Sequence, residues 1–144
     1  MEKTYDINEV AMMTGFTTRT LRNYLIQGLL KGRKEDGVWQ FTAEDLESFF
    51  AEPYVKAGLR TKRSSAVFDF LADCRKKEKS TCVILDRPAS RKEGDEISAF
   101  FCAEMSHAKD VVFHYGWDNG NCRVILSGAE DQVEKIMKAF YDHE

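Results

Sequence analysis

Apolar residues recur every three or four positions in a short segment near the amino terminus. The positions at this helical spacing are Ile7, Val10, Ala11 and Thr14. Asp6 followed by Glu9 has the form of a capping box, which marks the start of a helix. Gly15 suits a left-handed helix end. The pattern predicts a first helix over 7–14.

A second segment with the same periodicity follows directly. Its apolar face consists of Leu21, Tyr24 and Leu25, and its polar face consists of Thr18, Arg19, Arg22 and Asn23. Thr17 is a suitable cap before it, and Gly28 a suitable end. The pattern predicts a second helix over 18–27. Two short helices around a glycine turn form a helix-turn-helix, here with the cations on the second helix.

Residues 31–41 have the pattern of a basic, two-stranded wing. The cations of this wing are Lys31, Arg33 and Lys34. Asp36-Gly37 is a strong signal for a tight turn, and apolar residues alternate after it at Trp39 and Phe41. A third helix is predicted directly after the wing. Thr42 with Asp45 suits its start, and its apolar residues are Leu46, Phe49 and Phe50.

Residues 5–50 resemble the amino-terminal domain of the MerR family of transcriptional regulators. The matching runs are Tyr5-Asp6-Ile7-Asn8-Glu9-Val10-Ala11, Arg19-Thr20-Leu21-Arg22-Asn23-Tyr24, Gly28-Leu29-Leu30, Gly37-Val38-Trp39-Gln40-Phe41-Thr42 and Glu44-Asp45-Leu46. Their order and spacing together carry the resemblance, which covers about a third of the chain.

The resemblance implies a winged helix-turn-helix that binds double-stranded DNA, with the second helix in the major groove. The residues expected at the DNA are Thr17, Thr18, Arg19, Arg22, Asn23, Tyr24, Lys31, Arg33, Lys34, Trp39 and Gln40. Arg19 is the first candidate for a base edge, because a guanidinium can bind guanine O6 and N7 together. Arg22 and the wing cations are expected at phosphates.

Each of these assignments has an alternative. Arg19 and Arg22 could belong to a solvated helix face. Tyr24 and Trp39 could pack in a small core. Two positions also depart from the family pattern: Asn23 replaces a tyrosine, and Gln40 replaces the arginine that commonly meets phosphate.

Residues 52–63 are predicted to be a basic linker, because they combine Pro53, Gly58 and four cations with little periodicity. The four cations are Lys56, Arg60, Lys62 and Arg63. The sequence therefore predicts a DNA-binding domain over 1–51 and a separate domain over 64–144. No sustained heptad follows residue 51, whereas MerR regulators typically continue into a long coiled-coil helix that makes the dimer.

The carboxyl-terminal half is predicted to contain both helices and strands. The expected elements are a helix at 64–78, a strand at 81–86, a helix at 94–107, strands at 110–117 and 121–127, and a helix at 129–142. Asn119-Gly120 is a strong hairpin signal. The overall class is therefore α+β, and the order βαββα resembles a ferredoxin-like sheet without its final strand. A three-stranded sheet with free edges favours self-association, so a homodimer through 64–144 is expected.

The composition indicates where the protein is expected to be located and how its charge is distributed along the chain. The 144 residues carry a formal charge of -3. Residues 1–63 hold ten Lys and Arg against nine Asp and Glu, and residues 64–144 hold eleven against fifteen. A DNA-facing surface is therefore a local patch in the first part. No signal peptide or bilayer-spanning stretch is evident, so a cytoplasmic protein is expected, without contact to membranes.

The four cysteines stand far apart and are predicted to be small buried hydrophobes; a redox or metal sensor is the alternative. The cysteines are Cys74, Cys82, Cys102 and Cys122. Neither a metal site nor a cofactor is expected. His114 and Trp117 are speculative ligand-binding residues, for a small-molecule effector of the second domain. Core packing is their alternative role.

The sequence contains no set of residues typical of catalysis, so the protein is not expected to be an enzyme. The function that these patterns favour is sequence-specific binding of double-stranded DNA by a transcriptional regulator. Two alternatives stay open. One is an excisionase-like architectural DNA-binding protein, and the other is a module that senses a metabolite or protein while tethered to DNA.

Overall fold

The computed structural model describes residues 3–73 and 78–144 and divides the chain into two compact units. The first unit ends at Ser64 and the second begins at Ser65. Each unit combines helices with a three-stranded sheet in its described residues, so the predicted mixture of helix and sheet is confirmed. None of the described helices is both long enough and apolar enough to cross a bilayer.

The first unit contains the predicted helix-turn-helix and, at the position predicted for the wing, a two-stranded hairpin. In chain order its elements are β1 (Thr4–Tyr5), α1 (Ile7–Thr14), α2 (Thr18–Gln27), β2 (Arg33–Glu35), β3 (Val38–Thr42), α3 (Ala43–Ala51) and the first part of α4 (Pro53–Ala72). Helices α1 and α2 have the predicted bounds. Strand β1 was not predicted; it pairs antiparallel with β3, which places β3 between β1 and β2.

Side-chain caps fix where the short helices begin. The Asp6 carboxylate accepts the Glu9 N–H at 2.8 Å, and the Glu9 carboxylate accepts the Asp6 N–H at 3.1 Å. Thr42 and Asp45 form the same reciprocal pair at the start of α3. Such caps pair backbone donors that the first helical turn leaves without a partner in the helix. The predicted capping boxes are therefore confirmed.

The prediction of an irregular linker at 52–63 is wrong. Residues 53–63 belong to helix α4, and Glu52 is the residue between α3 and α4. Pro53 is the first residue of that helix, where a missing N–H costs no helical hydrogen bond. Gly58 lies inside the helix, where a Cβ would come within 3.2 Å of the Phe16 ring. Val55 and Leu59 are buried one turn apart. Pro53 thus allows the helix to start, and Gly58 allows the helix to approach the Phe16 ring closely.

An aromatic and aliphatic core joins the elements of the first unit. Its buried apolar residues are Tyr5, Val10, Met13, Phe16, Leu21, Tyr24, Leu30, Phe41, Leu46, Phe49, Val55 and Leu59. The ring of Tyr24 lies 5.6 Å from that of Phe16 and 5.7 Å from that of Phe49. Tyr24 of α2 therefore contacts Phe49 of α3 directly, and the turn residue Phe16 packs against both rings.

The second unit has the predicted order βαββα after the end of α4. Its elements are β4 (Ser80–Pro88), α5 (Arg91–Met105), β5 (Val111–Asp118), β6 (Asn121–Ala129) and α6 (Glu130–His143). The strands lie in the order β4-β6-β5, and both pairings are antiparallel. Asn119 and Gly120 connect β5 to β6 with φ values of 50° and 75°, which confirms the predicted hairpin turn.

The helix predicted at 64–78 begins earlier, at Pro53, and ends at Ala72. Residues 74–77 of that prediction lie outside the described residues. The other helices and strands of this half overlap their predicted positions, with bounds that differ by a few residues.

The two faces of the carboxyl-terminal sheet differ. One face packs against α5 and α6, where the ring of Phe101 lies 5.8 Å from that of Phe113 and 4.9 Å from that of Phe140. Because side chains alternate along a strand, His114 lies on the opposite face, where it pairs in register with Ile125. Ile84 of β4 pairs with the same Ile125. This second face, on which His114 and Ile125 are buried, is called the His114 face below.

Candidate nucleic-acid interface

Helix α2 buries one side and exposes the other. Leu21 and Tyr24 are buried against the core of the first unit. The exposed residues at a spacing of three and four are Arg19, Arg22, Asn23 and Ile26. These four side chains form one solvent-facing strip, which is called the α2 strip below. Ile26, which is 84% exposed, was not predicted, although its spacing from Arg19 and Arg22 places it on the same face.

Thr17 and Thr18 lie at the amino-terminal end of the α2 strip. The Thr17 side chain accepts the Thr20 N–H at 3.1 Å, and its hydroxyl donates to the Thr20 hydroxyl at 3.0 Å. Its hydroxyl is thus engaged in capping the helix. The N–H groups of Thr18 and Arg19 belong to the first turn, where the helix dipole favours an anion such as phosphate.

The wing carries its exposed cations on β2 and the loop before it, ahead of a tight turn. Asp36 and Gly37 both have positive φ, as a two-residue hairpin turn of this type requires. Lys34 lies across the strand pair from Trp39, with its Nζ 5.8 Å from the center of the ring. Arg33 approaches Glu35 at 3.5 Å, which partly balances its charge. Lys31 is exposed on the loop that enters the wing.

Three of the predicted DNA contacts are engaged within the unit. Tyr24 is buried in the aromatic cluster, and this burial, followed by the nearby Tyr54, raises the pKa of its hydroxyl. Trp39 is half-buried and stacks on Phe41 at a ring distance of 6.2 Å. Gln40 accepts a hydrogen bond from the Thr4 hydroxyl at 2.9 Å. The exposed members of the set are therefore on α2 and at the outer part of the wing.

A glycine sets the approach of the wing to the core. A Cβ at Gly32 would lie 2.5 Å from Cδ1 of Phe41 and 2.8 Å from the carbonyl oxygen of Gln40. These distances are shorter than van der Waals contact, so a side chain there would displace β3 or the entering loop. The position of the wing cations thus depends on Gly32.

Residues 5–49 match the family model of the MerR HTH family regulatory proteins. This segment is a MerR-type domain. Helices α1 and α2, the wing and most of α3 fall within the matched residues. The presence of a domain of this family indicates a role in transcription regulation through DNA binding. Comparisons of the whole chain with curated proteins and with solved structures found no match.

The two departures from the family pattern have different surroundings in the MerR-type domain. Asn23 is exposed in the α2 strip, where its amide is available to an incoming partner. Gln40 instead joins β3 to β1 through Thr4. The second departure thus replaces a cation by a hydrogen bond within the sheet.

The speculative ligand-binding residues of the second unit do not lie together. His114 is buried on the His114 face, with only 7% of the residue exposed. Trp117 is three positions further along β5, so its side chain lies on the helix-covered face, beside Gly94 of α5. The indole N–H of Trp117 donates to the Ala89 carbonyl at 2.9 Å. The structure therefore places these residues on opposite sides of the sheet, and a single pocket cannot contain both.

The Trp117 hydrogen bond leads to a test of its structural role. Trp117→Phe is expected to lower the free energy of unfolding by about 1 kcal/mol, because the Ala89 carbonyl loses its donor. Urea unfolding measures this change. Tyr141→Phe, at an exposed ring, is the control and should stay within about 0.5 kcal/mol. Equal stability of Trp117→Phe and the native protein would contradict the assigned role.

The described cysteines are largely shielded. Cys102 and Cys122 are buried and Cys82 is half-buried, and all three are free thiols; Cys74 lies outside the described residues. Burial raises the pKa of the Cys122 thiol to about 11, and burial also raises that of Cys82. Since the thiolate is the reactive form, Cys122 is unreactive at neutral pH. The described residues contain no group of three His, Cys, Asp or Glu that could hold a metal ion.

Proposed function

We propose that this protein is a sequence-specific regulator that binds double-stranded DNA and has no enzymatic activity. In this proposal α2 enters the major groove, Arg19 reads a base edge, and Arg22 binds phosphate together with the wing cations. Two copies bind a symmetric operator, paired through the carboxyl-terminal unit.

The observation that supports this proposal most is the α2 strip. Arg19 and Arg22 are exposed, while the opposite side of the same helix is buried in a MerR-type domain. A helix with one buried side and one cationic side can enter a groove without losing its own packing. Duplex DNA attracts such cations because each phosphate contact releases condensed counterions.

A salt titration of duplex binding tests the phosphate contact. Arg22→Ala is expected to weaken binding by about tenfold at low salt and to reduce the slope of log K against log salt by about one. The matched control is Lys138→Ala, which removes an exposed cation from α6. It should leave the affinity and the slope unchanged.

Two results would reject the proposed function. One is an absence of duplex binding at low salt by the native protein. The other is an affinity that Arg22→Ala leaves unchanged while the variant stays folded. A similar loss in Arg22→Ala and Lys138→Ala would indicate a general charge effect instead of a site on α2.

We also propose that the second unit is a ferredoxin-like sheet without its final strand. The strand order β4-β6-β5, the antiparallel pairings and the helices after β4 and β6 support this arrangement. A small-molecule effector of this unit, and the cytoplasmic location of the protein, stay predictions.

A further inference from the structure

The outer edge of β4 has free positions for backbone hydrogen bonds. At one end of the strand the Ala89 N–H donates to the Gly120 carbonyl, and at the other the Glu130 N–H donates to the Lys79 carbonyl. In an antiparallel pair, alternate residues bond to the neighbouring strand. The odd-numbered residues of β4 therefore bond to β6. The N–H and C=O groups of Cys82, Ile84 and Asp86 point away from the sheet.

The two edges of this sheet are not equally open. Just before β5, the Asp110 carbonyl accepts the Ala129 N–H of β6, so the even-numbered residues of β5 bond to β6. The backbone N–H and C=O groups of the odd-numbered residues Phe113 and Tyr115 therefore point away from β6. These residues are only 2% and 5% exposed, so their backbone is covered. None of the nine residues of β4 is buried, and Ile84 at its center is 51% exposed. Among the described residues, no strand lies beside this edge.

The first six residues of β4 lack the usual protection of a free edge. Edge strands commonly carry lysines, inward-pointing charges or bulges that prevent pairing. Residues 80–85 of β4 are uncharged, and all nine residues of the strand pair in continuous register with β6. Asp86 is bonded to Arg123 of β6 through both carboxylate oxygens, at 2.7 and 2.8 Å. A strand of this length and composition is suited to a neighbouring strand.

We propose that β4 pairs antiparallel with β4 of a second copy of this chain, around a twofold axis at Ile84. This inference rests on the homodimer of the proposed function and names its interface. Ile84 is the middle residue of Ser80–Pro88, so this register pairs the whole strand with itself. Its outward N–H and C=O groups bond to those of Ile84 of the partner subunit.

The charges of β4 favour a second copy in this orientation. Asp86 lies opposite Cys82 of the partner subunit, and Arg87 lies opposite Thr81 of the partner subunit. Each charged residue thus faces an uncharged one. A parallel copy in register would instead place Asp86 next to Asp86 of the partner subunit, and like charges on neighbouring strands are destabilising. Pro88, which has no N–H to donate, falls at the end of the pairing, where one donor fewer matters least.

Sedimentation equilibrium of the full-length protein without DNA tests the pairing. The native protein is expected to be a dimer. Ile84→Pro is expected to raise the dissociation constant of the dimer by about tenfold or more, because residue 84 loses its outward-pointing N–H. Proline is tolerated at an outward-facing position of an edge strand, and thermal unfolding verifies the fold. Ile84→Val keeps both the N–H and a branched side chain, and it should remain dimeric.

Two further variants separate this interface from others. Ile84→Lys keeps the N–H but places two ammonium groups on the twofold axis, so it should dissociate the dimer at low salt and recover partly at high salt. The double variant Phe68→Ser, Leu71→Ser changes two exposed apolar residues of α4 and should remain dimeric. In the native dimer the amide of Ile84 should exchange slowly with solvent, and its exchange should become faster on dilution.

The proposal would be overturned by a native protein that is monomeric, or by association that Ile84→Pro leaves unchanged. Loss of the dimer through the α4 double variant, with Ile84→Pro still dimeric, would overturn it in favour of a helical interface. Duplex binding is measured separately on a single half-site. A dimer that depends on Ile84 but binds no DNA would retain the β4 interface and reject the DNA-binding function.

Discussion

Gly128→Ala is expected to destabilise the carboxyl-terminal unit by at least about 3 kcal/mol, the upper range for strain at one residue. Gly128 has φ of 149°, a conformation that side chains rarely adopt. A Cβ there would lie 2.1 Å from the Asp110 carbonyl oxygen, which belongs to the backbone and cannot turn aside. The variant must therefore separate β6 from the start of β5.

Thermal unfolding of the full-length protein measures this effect. For a unit of this size, a loss of about 3 kcal/mol corresponds to a decrease in Tm of more than about 10 °C. Gly120→Ala is the matched control, because Gly120 also has positive φ but nothing lies within 4 Å of its Cβ position. Its cost should be only the conformational strain, about 1 kcal/mol. Equal decreases in Tm for the two variants would show that the contact with Asp110 contributes nothing.

Arg19→Lys is expected to abolish much of the discrimination between DNA sequences while leaving nonspecific affinity nearly unchanged. Lysine keeps the charge but cannot bind guanine through two parallel N–H groups in the same plane. A bidentate contact accounts for about 1 to 3 kcal/mol of discrimination, so the preference should decrease by about fivefold to 150-fold.

The measurement is competition between a duplex selected by the native protein from a random pool and an unrelated duplex. Arg22→Lys serves as the control, because a phosphate contact tolerates the exchange of one cation for another. It should retain the preference for the selected duplex. A preference that survives Arg19→Lys would assign base recognition to another residue of the α2 strip, such as Asn23.

The local features of the first unit could be predicted because their signals lie close together in the chain. The capping box of Asp6 and Glu9 spans four residues, and the turn of the wing needs only Asp36 and Gly37. Strand β1 could not be predicted in this way. It has two residues, too few for a period, and its partner Phe41 lies far along the chain.

Helix α4 shows why local signals can mislead. Pro53 and Gly58 are frequent in connectors, and the low periodicity around them strengthened that interpretation. What makes the segment helical is tertiary: Val55 and Leu59 enter the core, and Gly58 allows the Phe16 ring to approach. Packing against a partner decides helix formation more often than propensity does.

The candidate DNA contacts also divide into those that local sequence patterns predict and those that depend on tertiary contacts. The exposure of Arg19 and Arg22 follows from helical periodicity, which also places Ile26 beside them. The hydrogen bond from Thr4 to Gln40 connects residues that are 36 positions apart, so no local sequence pattern predicts it. The separation of His114 from Trp117 was predictable, because an odd interval along a strand puts side chains on opposite faces.

The distribution of thiols makes the unfolding of the second unit separately observable. The four cysteines lie between residues 74 and 122, so the first 64 residues contain none. Cys102 on α5 and Cys122 on β6 are buried. Pulsed alkylation followed by mass spectrometry should therefore label these two thiols only when the second unit opens. In the Trp117→Phe variant Trp39 is the sole tryptophan, so fluorescence of that variant reports on the first unit. The two methods together then determine whether the units unfold cooperatively.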